Sequence, residues 1–503
     1  MFKNALVSVS DKTGLLDFLK PLVDSGLNIY STGGTAQYLR DSQFPVTDVS
    51  DLTGFPEVMD GRVKTLHPKV HMGLLARSFK PEDFGLLESQ QVPAFDLVIV
   101  NLYPFEKSRS LGLKGQDLIE KIDIGGPSML RSAAKSFERI TVLCDPQDYV
   151  WVAQKKSLSK EDRQKLAAKV FSHTATYDSL ISSTLNPDFQ SYFSLPGRLV
   201  QELRYGENPH QKAAWYSELG AKMGLHEAQQ LQGKELSYNN ILDLDAALRL
   251  LLELKEPACV AVKHNNPCGV ALGSEAIGRC LKADPISVFG GIVATNILVD
   301  GAAAEELSSL FLECVIAPDF TEEAKSFLAK KKNLRLLIWP RLQTPFVQPL
   351  TKEVKSVLGG FLVQDLDQVH QSLENWKVIG ETPRAEILRD LVLAEKIAKS
   401  LKSNSISIVS QGSSLGLGMG QTNRVDSVEL ALRRAAQFHP QSHDWVLASD
   451  AFFPFPDSME RLATTPVKWV LQPGGSLKDG EVIQKARAFG ITMILTGERH
   501  FKH

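Results

Sequence analysis

The segment ALVSVSDKTGLLDFLKPLVDSGLNIYSTGG, residues Ala5–Gly34, contains two strand-like runs separated by a helix-like run. ALVSVS (Ala5–Ser10) and LNIYS (Leu27–Ser31) are short and apolar, which is typical of buried strands, whereas KTGLLDFLKPLV repeats apolar residues with helical spacing. A strand, a helix and a second strand in this order favour two parallel strands joined by a crossover. The sequence therefore predicts an α/β fold that binds ligands at the carboxyl ends of its strands.

The same alternation divides the chain into three predicted parts. Residues 1–148 alternate strands and helices, residues 149–198 form a helical connection and linker, and residues 199–503 return to α/β patterning. In the connection, Ser159 and Asp162 have the spacing of a capping box, which predicts a helix that begins there.

The C-terminal part contains two stretches with the same order of strand, proline turn, acidic helix start and second strand. One begins at Cys314 and the other at Trp469, 155 residues later. The repeated order predicts an internal duplication into two like lobes, at about residues 199–360 and 361–503, with chance similarity between α/β segments as the alternative. A cleft between two such lobes is a common place for a binding site.

Composition excludes several classes of function. The chain has 503 residues and a formal net charge of −2, so no dedicated nucleic-acid surface is expected. No apolar run reaches the roughly 18 residues of a membrane span, and the first residues lack the apolar core of a signal peptide. Five cysteines form no CxxC pair, which argues against a disulfide framework and a zinc knuckle. We therefore expect a cytoplasmic protein with no membrane contact.

Two glycine-containing turns follow the first two strands. STGGT (Ser31–Thr35) lets backbone N–H groups approach an anion at a helix start, and SVSDKTG (Ser8–Gly14) repeats that layout with Lys12 as a positive charge. Either turn alone is equally well explained as a plain connection between a strand and a helix. Two such turns at neighbouring strand ends predict a phosphate pocket.

The stretch GRVKTLHPKVH concentrates basic residues. Arg62 and Lys64 alternate as in a strand, which predicts that both side chains face one side, with a solvated basic loop as the alternative. His67 and His71 are four residues apart. We expect no zinc there, because a third ligand is missing and Pro68 would break the helix that aligns the two rings.

Three more polar residues of the N-terminal part lie beside strand or helix ends. Tyr103 follows the strand DLVIV in the string NLYPF, Asp123 precedes the Gly-Gly turn of IDIGGPSMLRSAAK, and Lys135 ends that string. Asp123 suits the orientation of a catalytic group. A helix-start carboxylate and a packed tyrosine are the structural alternatives at these positions.

In the C-terminal part, the string ACVAVKHNNPCG is a buried-type strand that ends in Lys263 and His264. A lysine can stabilise an oxyanion and a histidine can move a proton near neutral pH, so this pair predicts a reaction centre. A hydrogen-bonded loop histidine is the alternative. The string GLGMG lacks the GxGxxG spacing, so no NAD site is expected.

Ten strings in a fixed order extend over essentially the whole chain. They are SVSDKTG, STGGTA, DVSDLTGFPEVMDGRVKTLHPKVHMGLLAR, NLYPF, IDIGGPSMLRSAAK, LRYGENPHQ, KHNNPCG, VFGGIVATN, SDAFFPFPD and RHFKH. Together they resemble the bifunctional purine-biosynthesis family in which AICAR formyltransferase is joined to IMP cyclohydrolase. The resemblance implies an N-terminal methylglyoxal-synthase-like domain with a doubly wound parallel sheet, and a C-terminal half of two cytidine-deaminase-like α/β lobes. It also implies an intertwined homodimer with transferase sites between the subunits.

The resemblance implies two successive reactions. A formyl group passes from 10-formyltetrahydrofolate, the cosubstrate, to the amine of AICAR, and the resulting formyl-AICAR closes with loss of water to give IMP. These small molecules and a second subunit are the implied partners, without nucleic acid, membrane, zinc or NAD. The resemblance leaves open whether a monovalent cation binds, and it assigns no residue to hold one.

The family pattern also assigns residues. For cyclisation it implies Lys64, Tyr103, Asp123 and Lys135. For formyl transfer it implies His264 as the base, Lys263 beside the oxyanion and Asn404 as the group that aligns the formyl. The implied substrate-binding residues are Ser8, Lys12, Thr32, Gly33, Arg62, Arg204, Tyr205, Asn240 and Arg499. The implied folate-binding residues are Gly290, Glu313, Phe455 and Asp457.

Two short stretches depart from the family pattern. The string Ala394–Glu395–Lys396 stands where Ala-Trp-Lys is common, and Thr422–Asn423 gives GQTNR where GQMSR is common. Neither contains an implied proton-transfer residue.

Two other functions are compatible with the same motifs. One is a non-catalytic regulator that binds purine nucleotides, against which the Lys263–His264 pair argues. The other is a methylglyoxal-synthase-like lyase that acts through the first domain only, which leaves about 300 residues without a role.

Overall fold

The computed structural model describes residues 2–155, 157–188, 191–219, 221, 223–343, 352–369 and 373–503. Backbone contacts divide the chain into two compact units. The smaller unit comprises residues 1–198 and 217–222, and the larger unit comprises residues 199–216 and 223–503.

The smaller unit is built on a parallel sheet. Its strands are β1 (Asn4–Val9), β2 (Asn28–Ser31), β3 (Val46–Asp48), β4 (Leu97–Asn101) and β5 (Thr141–Leu143). Its helices are α1 (Leu15–Asp24), α2 (Gly33–Asp41), α3 (Val49–Thr53), α4 (Pro68–Leu75), α5 (Pro81–Ser89), α6 (Phe105–Ser110), α7 (Gly115–Ile119), α8 (Gly125–Lys135), α9 (Asp148–Ala153) and α10 (Lys160–Leu185). These five described strands lie in the order β3-β2-β1-β4-β5, and all neighbouring pairs are parallel. The predicted parallel α/β sheet is confirmed.

Helices cover both faces of this sheet. Alternate residues of a strand point to opposite faces. Leu6 of β1 packs in one cluster with Leu130 of α8 and Val170 of α10, whereas Val7 packs in another with Leu15 of α1. Burial on both faces explains why these strands are continuously apolar in sequence.

The long helix α10 begins with the predicted capping box. Ser159 Oγ accepts a hydrogen bond from Asp162 N at 3.1 Å, and Asp162 Oδ2 accepts one from Ser159 N at 3.1 Å. Val170 and Tyr177 of this helix lie in the same core cluster as α8 and β4. The helix that the sequence places in a connection therefore packs into the core of the smaller unit.

The larger unit carries most of the remaining elements. The remaining strands are β6 (Gly197–Leu203), β7 (Ala213–Glu218), β8 (Gln229–Gln232), β9 (Ala258–Lys263), β10 (Asn266–Leu272), β11 (Ile292–Thr295), β12 (Cys314–Ala317), β13 (Arg335–Ile338), β14 (Lys352–Val357), β15 (Gly360–Asp365), β16 (Lys377–Ile379), β17 (Ile406–Ser410), β18 (Ser413–Gly418), β19 (Trp445–Ser449), β20 (Val467–Gln472) and β21 (Thr492–Leu495). The remaining helices are α11 (Tyr238–Glu253), α12 (Ala276–Ala283), α13 (Pro285–Val288), α14 (Gly301–Ser308), α15 (Glu322–Leu328), α16 (Ala385–Ser400), α17 (Arg424–Phe438), α18 (Asp457–Leu462) and α19 (Asp479–Ala488).

Twelve described strands form one mixed sheet, which consists of two runs with the same connectivity. One run has the order β10-β9-β11-β12-β13-β8, and the other has the order β18-β17-β19-β20-β21-β16. Each run begins with an antiparallel hairpin, continues through three mutually parallel strands and ends with an antiparallel edge strand. The runs meet at the antiparallel pair of β10 and β18. Cys314 in β12 and Trp469 in β20 occupy equivalent places in them.

A shared core joins the two runs on one face of this sheet. It packs Leu244 of α11 and Leu391 of α16 against Val260 of β9 and Val446 of β19. On the other face each run has its own apolar cluster. The two pairs β6–β7 and β14–β15 form separate two-stranded sheets.

The sequence composition led to expectations about the pairing of cysteines and about membrane-spanning helices. All five cysteines are among the described residues, and each is a free thiol. Within the described ranges, no helix has both the length and the apolar character needed to cross a bilayer.

Candidate active sites

In the smaller unit, the carboxyl end of β1 is tied to the start of α2. Thr35 Oγ1 accepts a hydrogen bond from Val9 N and donates one to Val9 O, both at 3.0 Å. Thr32 is the extended residue that precedes α2, and Gly33, with a φ of 54°, begins the helix. The amino terminus of a helix favours anions, so this corner suits a phosphate group.

The ammonium group of Lys64 lies at this helix start. A Cβ built on Gly33 would be 2.6 Å from Lys64 Nζ, and one built on Gly61 would be 3.0 Å from it. Lys64 also forms an ion pair with Glu57 at 3.3 Å. A positive charge therefore lies next to the start of α2.

The prediction that Arg62 and Lys64 alternate along a strand is wrong. The backbone of residues 62–66 forms turns between α3 and α4. Arg62 forms an ion pair with Glu120, whereas Lys64 reaches α2. In a turn, sequence spacing does not fix the direction of a side chain, so the side chains of Arg62 and Lys64 point in different directions.

The segment that follows Lys64 contacts the turn that opens α8. The Oγ1 atom of Thr65 occupies the place that a Cβ on Gly125 would need, so the segment after Lys64 lies directly against this turn. The absence of a side chain on Gly125 therefore allows the two segments to meet.

The carboxylate of Asp123 is held by two backbone groups. Its Oδ1 accepts a hydrogen bond from Gly126 N at 2.8 Å, and its Oδ2 accepts one from Tyr103 N at 3.3 Å. Burial raises the pKa of Asp123, and these hydrogen bonds oppose the rise. The Tyr103 side chain itself is 50% exposed. The Asp123 carboxylate is thus tied to the backbone of Tyr103, whose ring is partly open to solvent.

The other predicted residues of this unit lie around the cluster or away from it. Ser8 is half-buried near the end of β1, and Lys12 Nζ lies 5.7 Å from the ring centroid of Tyr38 on α2. Lys135 is exposed at the last position of α8. At a rise of 1.5 Å per residue it lies about 15 Å from the start of that helix, so the described contacts do not bring it to Asp123.

As predicted, no helix passes through Pro68 to align His67 with His71, because His67 lies outside α4 in an extended conformation. Pro68 is the first residue of α4, where proline is well tolerated, and His67 caps the helix by accepting a hydrogen bond from Lys69 N at 3.2 Å. The ring of His71 lies 3.0 Å from Ser132 Oγ. In the part of the chain that the structure describes, no three His, Cys, Asp or Glu side chains are grouped to hold a metal ion.

In the larger unit, Lys263 and His264 lie at the tip of the β9–β10 hairpin. Lys263 pairs with Asn266, which leaves His264 and Asn265 as a two-residue turn. Both turn residues have positive φ, 52° and 62°, as a type I′ turn requires. Asn265 N donates a hydrogen bond to Asp243 Oδ1 at 2.6 Å. The His264 side chain is exposed on a fixed backbone.

Lys263 is held beside an aromatic surface. Its Nζ donates a hydrogen bond to Phe289 O, and a Cβ on Gly290 would be 3.8 Å from the same Nζ. The rings of Phe289 and Phe311 lie 5.6 Å apart, and each is about half exposed. The predicted residues Lys263 and Gly290 are therefore neighbours.

Asn240 and Glu313 also contact each other. Asn240 Nδ2 donates a hydrogen bond to Glu313 Oε2 at 2.7 Å, and Arg335 lies 4.0 Å from the same carboxylate. One turn further along α11, burial raises the pKa of Asp243, and hydrogen bonding by Asn265 opposes the rise. This side of the hairpin is therefore lined by amide and carboxyl groups.

Asn404 is held by a buried polar network. Its Oδ1 accepts a hydrogen bond from Arg424 Nη2 at 2.8 Å, and its Nδ2 donates one to Gln421 O at 2.9 Å. Arg424 in turn forms an ion pair with the fully buried carboxylate of Asp450 and a hydrogen bond to Ser449 Oγ at 2.7 Å. The orientation of the Asn404 amide is therefore fixed.

Asn266 joins the hairpin tip to the segment that carries Asn404. Its Oδ1 accepts a hydrogen bond from Lys402 N at 3.1 Å, and its Nδ2 donates one to His264 O at 3.0 Å. The structure thus brings the predicted formyl-transfer residues into one region, although they are far apart in sequence.

Other predicted residues of the larger unit are not brought to this region. Arg204 Nη2 lies 2.9 Å from the Tyr205 hydroxyl, and Arg499 lies over the ring of a neighbour in its own segment. Phe455 is half exposed, and Asp457 begins α18. Among the described residues, no contact of these five side chains reaches the β9–β10 hairpin.

Sequence reasoning missed the supporting residues Asp243, Arg424 and Asp450. Asp450 lies within the string SDAFFPFPD and Arg424 ends the departing string GQTNR, but ionic partners 26 residues apart leave no periodic signal. Asp243 follows Asn240 by one helical turn, and two polar residues on one side of an apolar helix are the signal that could have found it.

Each unit thus contains one polar cluster with a lysine, and two such clusters are typical of an α/β enzyme with two sites. The family described as "AICARFT/IMPCHase bienzyme" matches residues 133–434, and the "MGS-like domain" matches residues 14–128.

Similar proteins extend over the full chain. "Bifunctional purine biosynthesis protein PurH" of Aquifex aeolicus is 48% identical over 512 residues and covers 99% of this chain and 100% of the relative. Proteins of the same name from Persephonella marina and Caldicellulosiruptor saccharolyticus are each 47% identical over 520 residues, with 100% of both chains covered. The chain belongs to the AICARFT/IMPCHase family of bifunctional purine-biosynthesis enzymes, which confirms the predicted family.

Proposed function

We propose that the larger unit transfers a formyl group from 10-formyltetrahydrofolate to AICAR, and that the smaller unit closes formyl-AICAR to IMP. The assignment is carried by the position of the His264 side chain, which is exposed at the hairpin tip beside Lys263. Asn266 joins this tip to the segment that contains Asn404. A base, a cation and an aligning amide in one region are the groups that acyl transfer to a weak amine needs.

In formyl transfer, the amine of AICAR attacks the formyl carbon and must lose a proton. His264 takes that proton, Lys263 stabilises the oxyanion on the formyl oxygen, and Asn404 aligns the formyl group. The nucleotide contacts in this proposal are Arg204, Tyr205, Asn240 and Arg499. The folate contacts are Gly290, Glu313, Phe455 and Asp457.

In cyclisation, the carboxamide nitrogen attacks the formyl carbon, and the formyl oxygen gains negative charge before it leaves as water. Lys64 stabilises that charge, while Tyr103 and Asp123 transfer protons. The nucleotide phosphate binds at the start of α2. The binding residues proposed are Ser8, Lys12, Thr32, Gly33 and Arg62. Lys135 is included from the family pattern alone.

The domain boundaries belong to the same proposal. We assign residues 1–148 to a methylglyoxal-synthase-like cyclohydrolase domain, residues 149–198 to a connection, and residues 199–503 to a formyltransferase half with two cytidine-deaminase-like lobes. The equal connectivity of the two six-stranded runs supports a duplication.

We also propose a homodimer with formyl-transfer sites between subunits. Among the described residues, Arg204, Tyr205 and Phe455 have no contact with the β9–β10 hairpin, which is consistent with a site completed by a second copy. A cytoplasmic location and a monovalent cation that supports formyl transfer are further parts of the proposal. The role of the cation is tested by comparing the rate of formyl transfer in a potassium salt with the rate in the salt of a bulky organic cation.

The experiment is conversion by the purified chain. With AICAR and 10-formyltetrahydrofolate, we expect tetrahydrofolate and IMP to appear in equal amounts. Tight nucleotide binding with no turnover would instead indicate a regulator. The match of residues 14–128 to an MGS-like domain makes a lyase the second candidate, and release of phosphate from dihydroxyacetone phosphate would reveal it.

A further inference from the structure

A buried histidine near the carboxyl terminus lies between two carboxylates. His500 Nδ1 is 2.9 Å and 3.1 Å from the two oxygens of Asp367, and His500 Nε2 is 3.9 Å from Glu395 Oε1. The side chains of His500 and Glu395 are only 5% and 6% exposed. Within the described residues, Nε2 is fully buried and has no hydrogen-bond partner.

The surroundings favour a protonated ring. Burial by itself lowers the pKa of His500, but the hydrogen bond and charge of Asp367 and the charge of Glu395 outweigh it, so the pKa is raised. Burial raises the pKa of Glu395 to about 7, although His500 opposes the rise. The other charged groups that face this pair are Lys396, Lys399, Glu498 and, through Lys399, Glu253.

The same histidine is attached to the segment that carries Asn404. His500 N donates a hydrogen bond to Asp450 O at 2.9 Å. Two residues further on, Lys502 N donates to Ser403 Oγ at 3.0 Å, and Ser403 N donates to Lys502 O at 2.8 Å. The Asp450 carboxylate binds Arg424, which holds the Asn404 amide. Displacement of His500 would therefore loosen the predicted aligning residue.

We propose that Glu395 and Asp367 clamp a protonated His500 between them, and that this clamp is a positioning device for formyl transfer. It holds the C-terminal segment so that Asn404 and the neighbouring Arg499 are correctly placed. The three residues themselves do not touch substrate. The proposal rests on the proposed function, because it assigns these residues through Asn404 and Arg499.

The direct test measures the ring of His500 itself. The full chain is labelled with ¹³C-histidine, and the His500 signal, assigned with His500→Gln, is followed through a pH titration. Removing the charge of Glu395 with Glu395→Gln is expected to lower the His500 pKa by about one pH unit. Glu386→Gln, at an exposed site on the same helix, is the matched control and is expected to leave it unchanged. An unchanged His500 pKa in Glu395→Gln would overturn the clamp whatever reaction the enzyme catalyses.

The functional test follows formyl transfer and cyclisation in the same preparations. The ion pair of His500 with Asp367 is intact at low pH and is lost as pH rises through the raised pKa of His500, while the charge of Glu395 is added only near and above its own pKa of about 7. Glu395→Gln should therefore leave the acid side of the profile unchanged and move the alkaline fall of formyl transfer to lower pH. His500→Gln should raise the KM for AICAR about tenfold, the effect of one charged hydrogen bond, and leave cyclisation of supplied formyl-AICAR unchanged. Equal losses in both reactions, or pH profiles identical to that of Glu386→Gln, would contradict a positioning role.

Discussion

Lys64 and Gly33 meet at the start of α2, where the Lys64 ammonium lies 2.6 Å from the place that a Cβ on Gly33 would occupy. The two residues are 31 positions apart in sequence, and each belongs to a different motif. Their contact places a cation and a helix amino terminus around one point. It also makes the absence of a side chain at Gly33 a requirement.

We predict that Gly33→Ala lowers the rate of cyclisation by about 10², because the methyl group displaces Lys64 and the positive φ strains an L-residue. Steady-state rates with formyl-AICAR measure the effect. Gly34→Ala is the matched control, since a Cβ there meets no atom within 4 Å. Equal activity of the two variants would show that Lys64 is not needed at this point.

Asp123→Asn should abolish cyclisation, and it should lose the weaker of the two backbone hydrogen bonds, from Tyr103 N, because an amide NH2 cannot accept one. The raised pKa means that the folded state prefers the protonated carboxyl, so ionisation costs stability as pH rises above the usual range of an aspartate. Asparagine avoids that cost. The difference between the melting temperatures of Asp123→Asn and the wild type, measured by calorimetry, is therefore expected to change in favour of the variant from pH 4 to pH 7. A marked fall at pH 7 would mean that the carboxylate is a structural requirement.

His264→Ala should reduce formyl transfer by about 10² or more, the usual contribution of a general base, and leave cyclisation of supplied formyl-AICAR intact. Because the side chain is exposed, little change in stability is expected. His226→Ala removes another exposed histidine of the same unit and serves as the control. Similar rates for both variants would exclude His264 as the base.

Asp450→Ala should destabilise the larger unit by about 3–5 kcal/mol, because it leaves the buried Arg424 without a counter-charge. Formyl transfer should fall as well, since Arg424 holds Asn404. The control is Glu429→Ala, which removes an exposed partner of Arg461 and should cost about 1 kcal/mol or less. Chemical denaturation of both variants measures the difference.

Much of the fold could be predicted from the sequence, because local patterns determined it. The apolar runs of β1 and β4, the capping box at Ser159 and the strand that ends in Lys263 are each encoded within a few neighbouring residues. The family was likewise recognisable from strings spread over the chain. In these cases the structure follows from short-range information.

The arrangement of the sites depended on contacts that leave no local pattern. The side chains of Arg62 and Lys64 point in different directions because the backbone between them turns. The pairing of Arg424 with Asp450 arises only when two strands and a helix come together. Lys135 shows the converse, since a match to the family pattern does not by itself bring a side chain to the cluster.

If two separate sites carry out successive reactions, Lys64→Ala should stop only the second one, and its products show whether it does. AICAR and 10-formyltetrahydrofolate are supplied, and nucleotides are separated and quantified over time. We expect formyl-AICAR to accumulate in step with tetrahydrofolate while IMP does not form. IMP at the wild-type rate, or a folded variant that makes no formyl-AICAR, would contradict it.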